Sequence, residues 1–221
     1  MLFIHRIKDE GVSQIVEKPV LVLATANAGK IKELCELLKN IPVVVKGLSD
    51  YPSFPEPVED GETFRENAVK KALATSRHLG VAALADDSGL CVKALGGAPG
   101  IHSARYGGEG LTDADRCRLM LAAMRGKKDR EAAFMCVAAL AFPDCEVHTW
   151  EGRVEGLITE APDGENGFGY DPVFFYPPFG RTFALLSREE KNSVSHRGRA
   201  MTLFAADFQK LIDRQFKPVD S

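Results

Sequence analysis

The sequence lacks most of what marks a secreted, membrane-spanning or metal-stapled protein. Its five cysteines (Cys35, Cys91, Cys117, Cys136 and Cys145) are odd in number and form no C-x-x-C pair. Free thiols in a reducing, cytoplasmic setting are therefore expected over a disulfide framework. None sits beside a histidine or in a polar loop, which argues against a catalytic thiol. The five histidines have no metal-ligand spacing, so no zinc site is expected. The longest apolar run, residues 132–142, is too short to cross a bilayer. The opening stretch MLFIHRIKDEG carries no signal-peptide pattern. There is no basic excess: the net charge is −3 and the pI about 6.0. That argues against a nucleic-acid-binding face and leaves a local phosphate site open. No internal repeat or low-complexity tract occurs.

What is present is a globular composition. Of 221 residues, 45% are hydrophobic and 27% charged, enough to bury a sizeable core without staples. Residues 1–18 read as an extension, 19–215 as one two-lobed domain and 216–221 as a tail. Residues 19–25 form a continuous apolar run, which suits a buried strand. Apolar residues at helical spacing predict a helix over 29–39. A short strand over 41–45 and a proline-rich loop follow. A helix over 62–79 should stop at Gly80. A strand over 81–85 ends in Asp86-Asp87-Ser88-Gly89, with residues 90–95 as a returning hairpin arm. Thr112 and Asp115 form a capping signal for a helix to about Arg125. Two long strands are expected over 132–142 and 146–155, then an aromatic strand over 173–176. Ser187 and Glu190 are a second capping signal. The last helix should span 197–214, with Leu203, Phe204, Phe208, Leu211 and Ile212 on one face. The fold expected is α/β: a mixed twisted sheet with flanking helices and two lobes around a central cleft, residues 90–170 giving the smaller lobe.

Five segments could carry chemistry. Thr25-Ala26-Asn27-Ala28-Gly29-Lys30 joins a strand to a helix N-terminus, where backbone N–H groups and the helix dipole favour an anion. It is not a Walker A loop, since Ile31 follows the lysine and no earlier glycine is present. A plain turn with a solvated lysine explains it equally well. Glu56, Glu59, Asp60, Glu62 and Glu66 could simply favour a helix start, or one or two could hold Mg²⁺. Asp86 and Asp87 are adjacent at a strand end, so they point to opposite faces. Strand carboxyl ends are where open α/β sheets bind ligands, which favours function here over turn-making. Gly167-Phe168-Gly169-Tyr170-Asp171 could expose a ring for stacking; alone, it reads as a tight turn with its rings in the core. The basic run from Lys191 to Arg199 works against the dipole of the helix it introduces, which invites a ligand reading beside the solvated one. Together these would suit a nucleoside triphosphate with Mg²⁺.

The blocks ATANAGKIKEL, ADDSGL, LGGAPGIHSARY, GFGYDPVFF and REEKNSVSHRG occur in an order that resembles the inosine/xanthosine triphosphate pyrophosphatases, over roughly residues 19–213. The resemblance implies Mg²⁺-dependent hydrolysis of dITP, ITP and XTP to the monophosphate and pyrophosphate, by a homodimer that clears deaminated purines from the nucleotide pool. It makes residues 25–30 the triphosphate turn, with Thr25, Asn27 and Lys30 as contacts. Glu59 and Asp87 become metal ligands, and Asp87 the general base for a water attacking Pα. Ser88, Phe168, Gly169, Tyr170, Asp171, Lys191, His196 and Arg197 become nucleotide contacts, with Phe168 as the stacking ring. Hydrogen-bond polarity would then exclude adenine: backbone N–H groups with Arg197 or His196 would donate to the 6-oxo group that adenine lacks. Ala26 stands where the commonest family pattern has glycine, and a positive φ there would strain an alanine. The alternatives are a Maf-like pyrophosphatase for other modified nucleotides, a non-catalytic nucleotide sensor, and, least favoured, a nucleic-acid-binding module.

Overall fold

The structure is a computed structural model; it describes residues 18–215 except 52, 53, 55, 56 and 58. The terminal extension and tail, Glu56 and the side chain of Ile212 lie outside the described residues.

One seven-stranded sheet organises the chain, in the order β2-β1-β3-β4-β5-β6-β7. Strand β1 (Val20–Leu23) lies between β2 (Val44–Gly47) and β3 (Ala82–Val92) and runs parallel to both. A strand covered on both faces must be apolar throughout, and Leu21, Val22 and Leu23 are fully buried. Helix α1 (Ala28–Leu37) returns the chain to β2, and α2 (Phe64–Leu79) returns it to β3. Strands β4 (Glu131–Ala141), β5 (Val147–Ile158), β6 (Phe174–Tyr176) and β7 (Arg181–Thr182) continue the sheet antiparallel. Helix α3 (Asp113–Ala123) starts on the Thr112–Asp115 capping box, and α4 (Arg188–Val194) on the Ser187–Glu190 box. Helix α5 (His196–Gln215) closes the fold.

The hairpin expected at residues 86–95 does not form. Gly89 suggested a turn, but β3 continues straight through it and pairs with β4 from Ala83 to Val92. The second strand also lies later than expected, because Ile41 and Val43 are held in turns by hydrogen bonds to Leu38 and from Val43 to Ile41. Leu203 is half exposed, so it is not part of the buried face of α5 formed by Phe204, Phe208 and Leu211.

Two large cores sit toward opposite ends of the long strands. One packs Leu34 of α1, Leu38 just after it, and Met201, Phe204 and Phe208 of α5 on β1, β3 and β4. The other gathers Cys117, Met120 and Met124 with Phe134, Phe174 and Phe183. Each fully buried Leu, Met or Phe contributes about 1.5–3 kcal/mol relative to exposure. Between α2 and the sheet the packed residues are mostly alanines, including Ala68, Ala72, Ala85 and Ala139. These small side chains bring the polar residues of α2 close to β3. On the opposite side, a Cβ on Gly152 of β5 would stand 1.9 Å from the His196 carbonyl oxygen, so only glycine lets the start of α5 lie on the sheet.

Candidate active site

The sheet order reverses at β1, so a crevice opens beyond the carboxyl end of β1, along the part of β3 that continues past it. Asp86 and Asp87 thus lie within β3 and not at the strand end expected from the sequence. The turn after β1 enters it first. The Asn27 side chain caps α1 by accepting from the Lys30 N–H at 3.0 Å, and the Asn27 N–H donates to Thr25 Oγ1 at 3.2 Å. Ala26 carries no strain, since Cys145 is the one non-glycine residue with positive φ among the described residues. Gly29 is required by proximity: a Cβ there would meet the Phe168 ring at 2.9 Å. Ala26, Asn27 and Ala28 are exposed, whereas Lys30 turns inward.

Strand β3 supplies the next layer. Its register partner to Leu23 is Leu84, so Asp86, Asp87 and Ser88 extend past the end of β1. The two aspartates do face opposite ways. Asp86 is fully buried and accepts from Arg197 Nε at 3.2 Å and Nη2 at 3.0 Å, with Lys30 Nζ at 3.3 Å. Burial opposes its charge, but Arg197, Lys30 and Lys71 outweigh it and hold the carboxyl far below the usual range. Asp87 Oδ2 accepts from Asn67 Nδ2 at 3.1 Å, and Oδ1 lies 3.8 Å from Lys71 Nζ. Burial pushes the pKa of Asp87 up despite Lys71 and Lys30.

Lys71 ties the two candidate metal ligands together. Its ammonium donates to Glu59 Oε1 at 2.5 Å and to the Asp86 carbonyl at 2.8 Å. Lys30 reaches the same carbonyl at 3.3 Å. Glu59 is partly buried; burial would raise its pKa, but Lys71 and, more weakly, Lys30 and Arg105 bring it below the ordinary value. Of the other acids in that stretch, Asp60 pairs with Lys70 at the surface, and Glu66 accepts from the Glu62 N–H. Glu66 is a first-turn carboxylate of α2, as its sequence context allowed, while Asp60 lies before the N-cap. Among the described residues, no group of three or more His, Cys, Asp or Glu gathers as a metal site. Glu59 and Asp87 both face the Lys71 ammonium, so two carboxylates converge on one cation and offer the hard oxygen donors that a divalent ion such as Mg²⁺ takes.

Helix α5 and the loop before β6 complete the site. Arg197 is 1% exposed and also pairs with Glu33 and with Ser88 Oγ, the latter at 2.9 Å. Lys191 donates to Glu33 Oε1 at 2.7 Å and to Asp171 Oδ2 at 2.5 Å. Burial opposes the charge of Lys191, yet Asp171 and Glu33 hold its pKa above the ordinary value. Lys191 of α4 and Arg197 of α5 are therefore answered by buried carboxylates, whereas Arg199 is exposed and donates to the Arg153 carbonyl. Asp171 also accepts from the Phe168 N–H at 2.9 Å, fixing the loop. The Phe168 ring lies under Lys191 Nζ at 4.8 Å and Arg197 Cζ at 5.6 Å. Tyr170 is buried and donates to the Ser103 carbonyl at 2.9 Å. His196 stacks on Phe134 at 4.7 Å, and burial together with Arg197 and Lys191 keeps its imidazole neutral.

One cavity is lined by Asn27, Lys30, Ser88, Phe168, His196 and Arg197, with Gly169, Tyr170, Asp171 and Lys191 beside them. Thr25, Asp87 and Glu59 do not line it; Lys30 links it to their side of the crevice. Glu33, Asn67 and Lys71 were missed in the sequence. Glu33 reads there as one more surface charge on α1. Asn67 and Lys71 had a signal: they lie four residues apart on the α2 face that carries Ala68 and Ala72.

Fold and site define a class: a mixed α/β protein with an anion-receptive turn, a carboxylate pair and a cation-capped ring in one crevice, equipment for a phosphorylated ligand with a planar base. The chain belongs to the Ham1 family, whose model matches residues 21–207. It is 53% identical over 197 residues to a dITP/XTP pyrophosphatase of Syntrophobacter fumaroxidans, covering 89% of this chain and 85% of that protein. A Thermus thermophilus protein of the same name is 50% identical over 183 residues, covering 82% and 87%. The solved Ham1 protein of Coxiella burnetii superposes with a TM-score of 0.80 at 40% identity, covering 87% of this chain and 99% of that one.

Proposed function

We propose that this protein hydrolyses dITP, ITP and XTP to the monophosphate and pyrophosphate, removing deaminated purines from the nucleotide pool. One observation carries the reading: Lys30 lines the Phe168 cavity and shares the Asp86 carbonyl with Lys71, the partner of Glu59 and Asp87. Base pocket and carboxylate pair are thereby one continuous site. The dITP/XTP pyrophosphatase relatives support the same substrates.

In this reading Phe168 stacks on the base, and the turn after β1 receives the triphosphate. Asn27 caps only the Lys30 N–H, so the N–H groups of Ala28 and Gly29 remain for phosphate oxygens. Thr25 and Lys30 add a hydroxyl and a charge, and Ser88 a further hydroxyl. Glu59 and Asp87 would hold Mg²⁺, which supplies charge neutralisation for the triphosphate when bound. Asp87, oriented by Asn67, positions the attacking water and takes its proton as the Pα–O bond to the pyrophosphate breaks. Arg197 and Lys191 are already committed to Asp86, Glu33 and Asp171, so they are rigid donors at the base edge. His196 and Arg197 donate to a 6-oxo group and meet the adenine amino group donor to donor. A site of buried polar groups discriminates by about 10⁴–10⁵ when a partner is lost.

The test is kcat/KM for ITP, XTP, dITP and ATP, with and without Mg²⁺. A large metal-dependent preference for the first three is expected; comparable values for all four would refute the reading. The proposal includes a homodimer, which light scattering reads directly. It also places the reaction in the cytoplasm, where the five free thiols persist. No described helix is long and apolar enough to cross a membrane.

A further inference from the structure

The base cavity has a second wall that the function above does not use. Asp113 and Arg116 of α3 line it beside Gly169 and Tyr170. Arg116 turns inward, with its side chain only 13% exposed. Its Nη1 donates to the Leu111 carbonyl at 2.5 Å and lies 3.8 Å from Asp113 Oδ1. Its Nε is buried without a hydrogen-bond partner among the described residues. Neither neighbouring polar group accepts from it. Asp113 is 55% exposed and already accepts from the Gly169 N–H at 2.7 Å, and the Tyr170 hydroxyl is committed to Ser103. Nε is closed to a ligand atom, but Nη2 donates to nothing among the described residues, so the guanidinium edge that lines the cavity is left for a ligand acceptor, where low exposure makes it a stronger partner than a solvated arginine.

The purines this cavity would admit differ at C2. Xanthine carries an oxo group there, hypoxanthine a hydrogen and guanine an amino group. C6 and C2 lie at opposite ends of one ring edge. With the 6-oxo group against α5, the 2-position faces the wall made by α3. Resting on the function proposed above, we infer that Arg116 reads the 2-position and makes XTP the preferred substrate, ahead of ITP, with GTP last. The 2-oxo group accepts from Arg116 Nη2. A hydrogen leaves that N–H unpaired, and the guanine amino group sets donor against donor.

The experiment measures kcat/KM for XTP, ITP and GTP with the wild type, Arg116→Ala and Arg116→Lys. The XTP/ITP ratio should fall about tenfold or more in Arg116→Ala, the scale of a charged hydrogen bond, and Arg116→Lys should recover part of it. The GTP/ITP ratio should rise. Because Arg116 also holds the Leu111 carbonyl, melting temperatures are recorded alongside, and the ratios refer to folded enzyme only. An equal fall for XTP and ITP, or unchanged ratios in both variants, would overturn the assignment while leaving the function standing. No turnover of any purine triphosphate by the wild type would overturn both.

Discussion

The adjacent aspartates of β3 should fail in different ways when neutralised singly. Asp86 is fully buried between Arg197 and Lys30, at 3.0 to 3.3 Å. Removing one member of a buried ion pair costs about 3–5 kcal/mol, because the partner charge stays desolvated. For a domain of this size that lowers the melting temperature by roughly 6–20 °C. Asp87 differs in kind. Its pKa is raised by burial, so its charge is a cost to the fold at neutral pH, and a neutral asparagine removes that cost. Asp87→Asn should melt within about 1 kcal/mol of wild type, roughly 2–4 °C. Its turnover should fall by about 10²–10⁴, the range for a lost general base. Calorimetry and ITP kinetics on the two variants separate the effects. The reasoning is refuted if Asp86→Asn melts like wild type, or if Asp87→Asn keeps near-normal turnover.

Other outcomes follow from the same contacts. Phe168→Ala should raise KM for ITP about 10- to 100-fold with less change in kcat, since base stacking is worth about 1–3 kcal/mol; an unchanged KM would remove Phe168 from the base site. Gly152→Ala should destabilise the fold by several kcal/mol, on the order of other overpacked sites, because its Cβ meets the backbone of His196 and Ala200; urea unfolding measures this. Glu33 has a depressed pKa, since Arg197 and Lys191 outweigh its burial. It therefore stabilises the fold above the ordinary carboxylate pKa, and that stability is lost as pH falls through its folded value. Glu33→Gln should narrow the stability difference between pH 7 and pH 3, as read by unfolding at each pH.

Local signals in this chain were legible wherever local physics decides the outcome. The apolar run of β1, the capping boxes at Thr112 and Ser187 and the stop at Gly80 all form as their residue types dictate. So does the opposite facing of Asp86 and Asp87, which follows from strand alternation alone. Long-range pairing was not legible. Gly89 looks like a turn until β4 is present to pair with it. Glu33 looks like a solvated helix charge until α4 and α5 bring Lys191 and Arg197 against it, more than 150 residues on. Lys71 looks the same until α2 lies on β3. The buried ion network thus joins residues with a legible signal, Asp86, Lys191 and Arg197, to Glu33 and Lys71, whose local sequence gives surface readings.

The central claim is which phosphoric anhydride bond is broken. It is tested by identifying the products of ITP hydrolysis with Mg²⁺, using anion-exchange separation of nucleotides together with pyrophosphate and orthophosphate assays. Equal amounts of IMP and pyrophosphate, with no IDP, are the expected result. IDP with orthophosphate would contradict it, because attack would then fall on the γ-phosphate and away from the water assigned to Asp87.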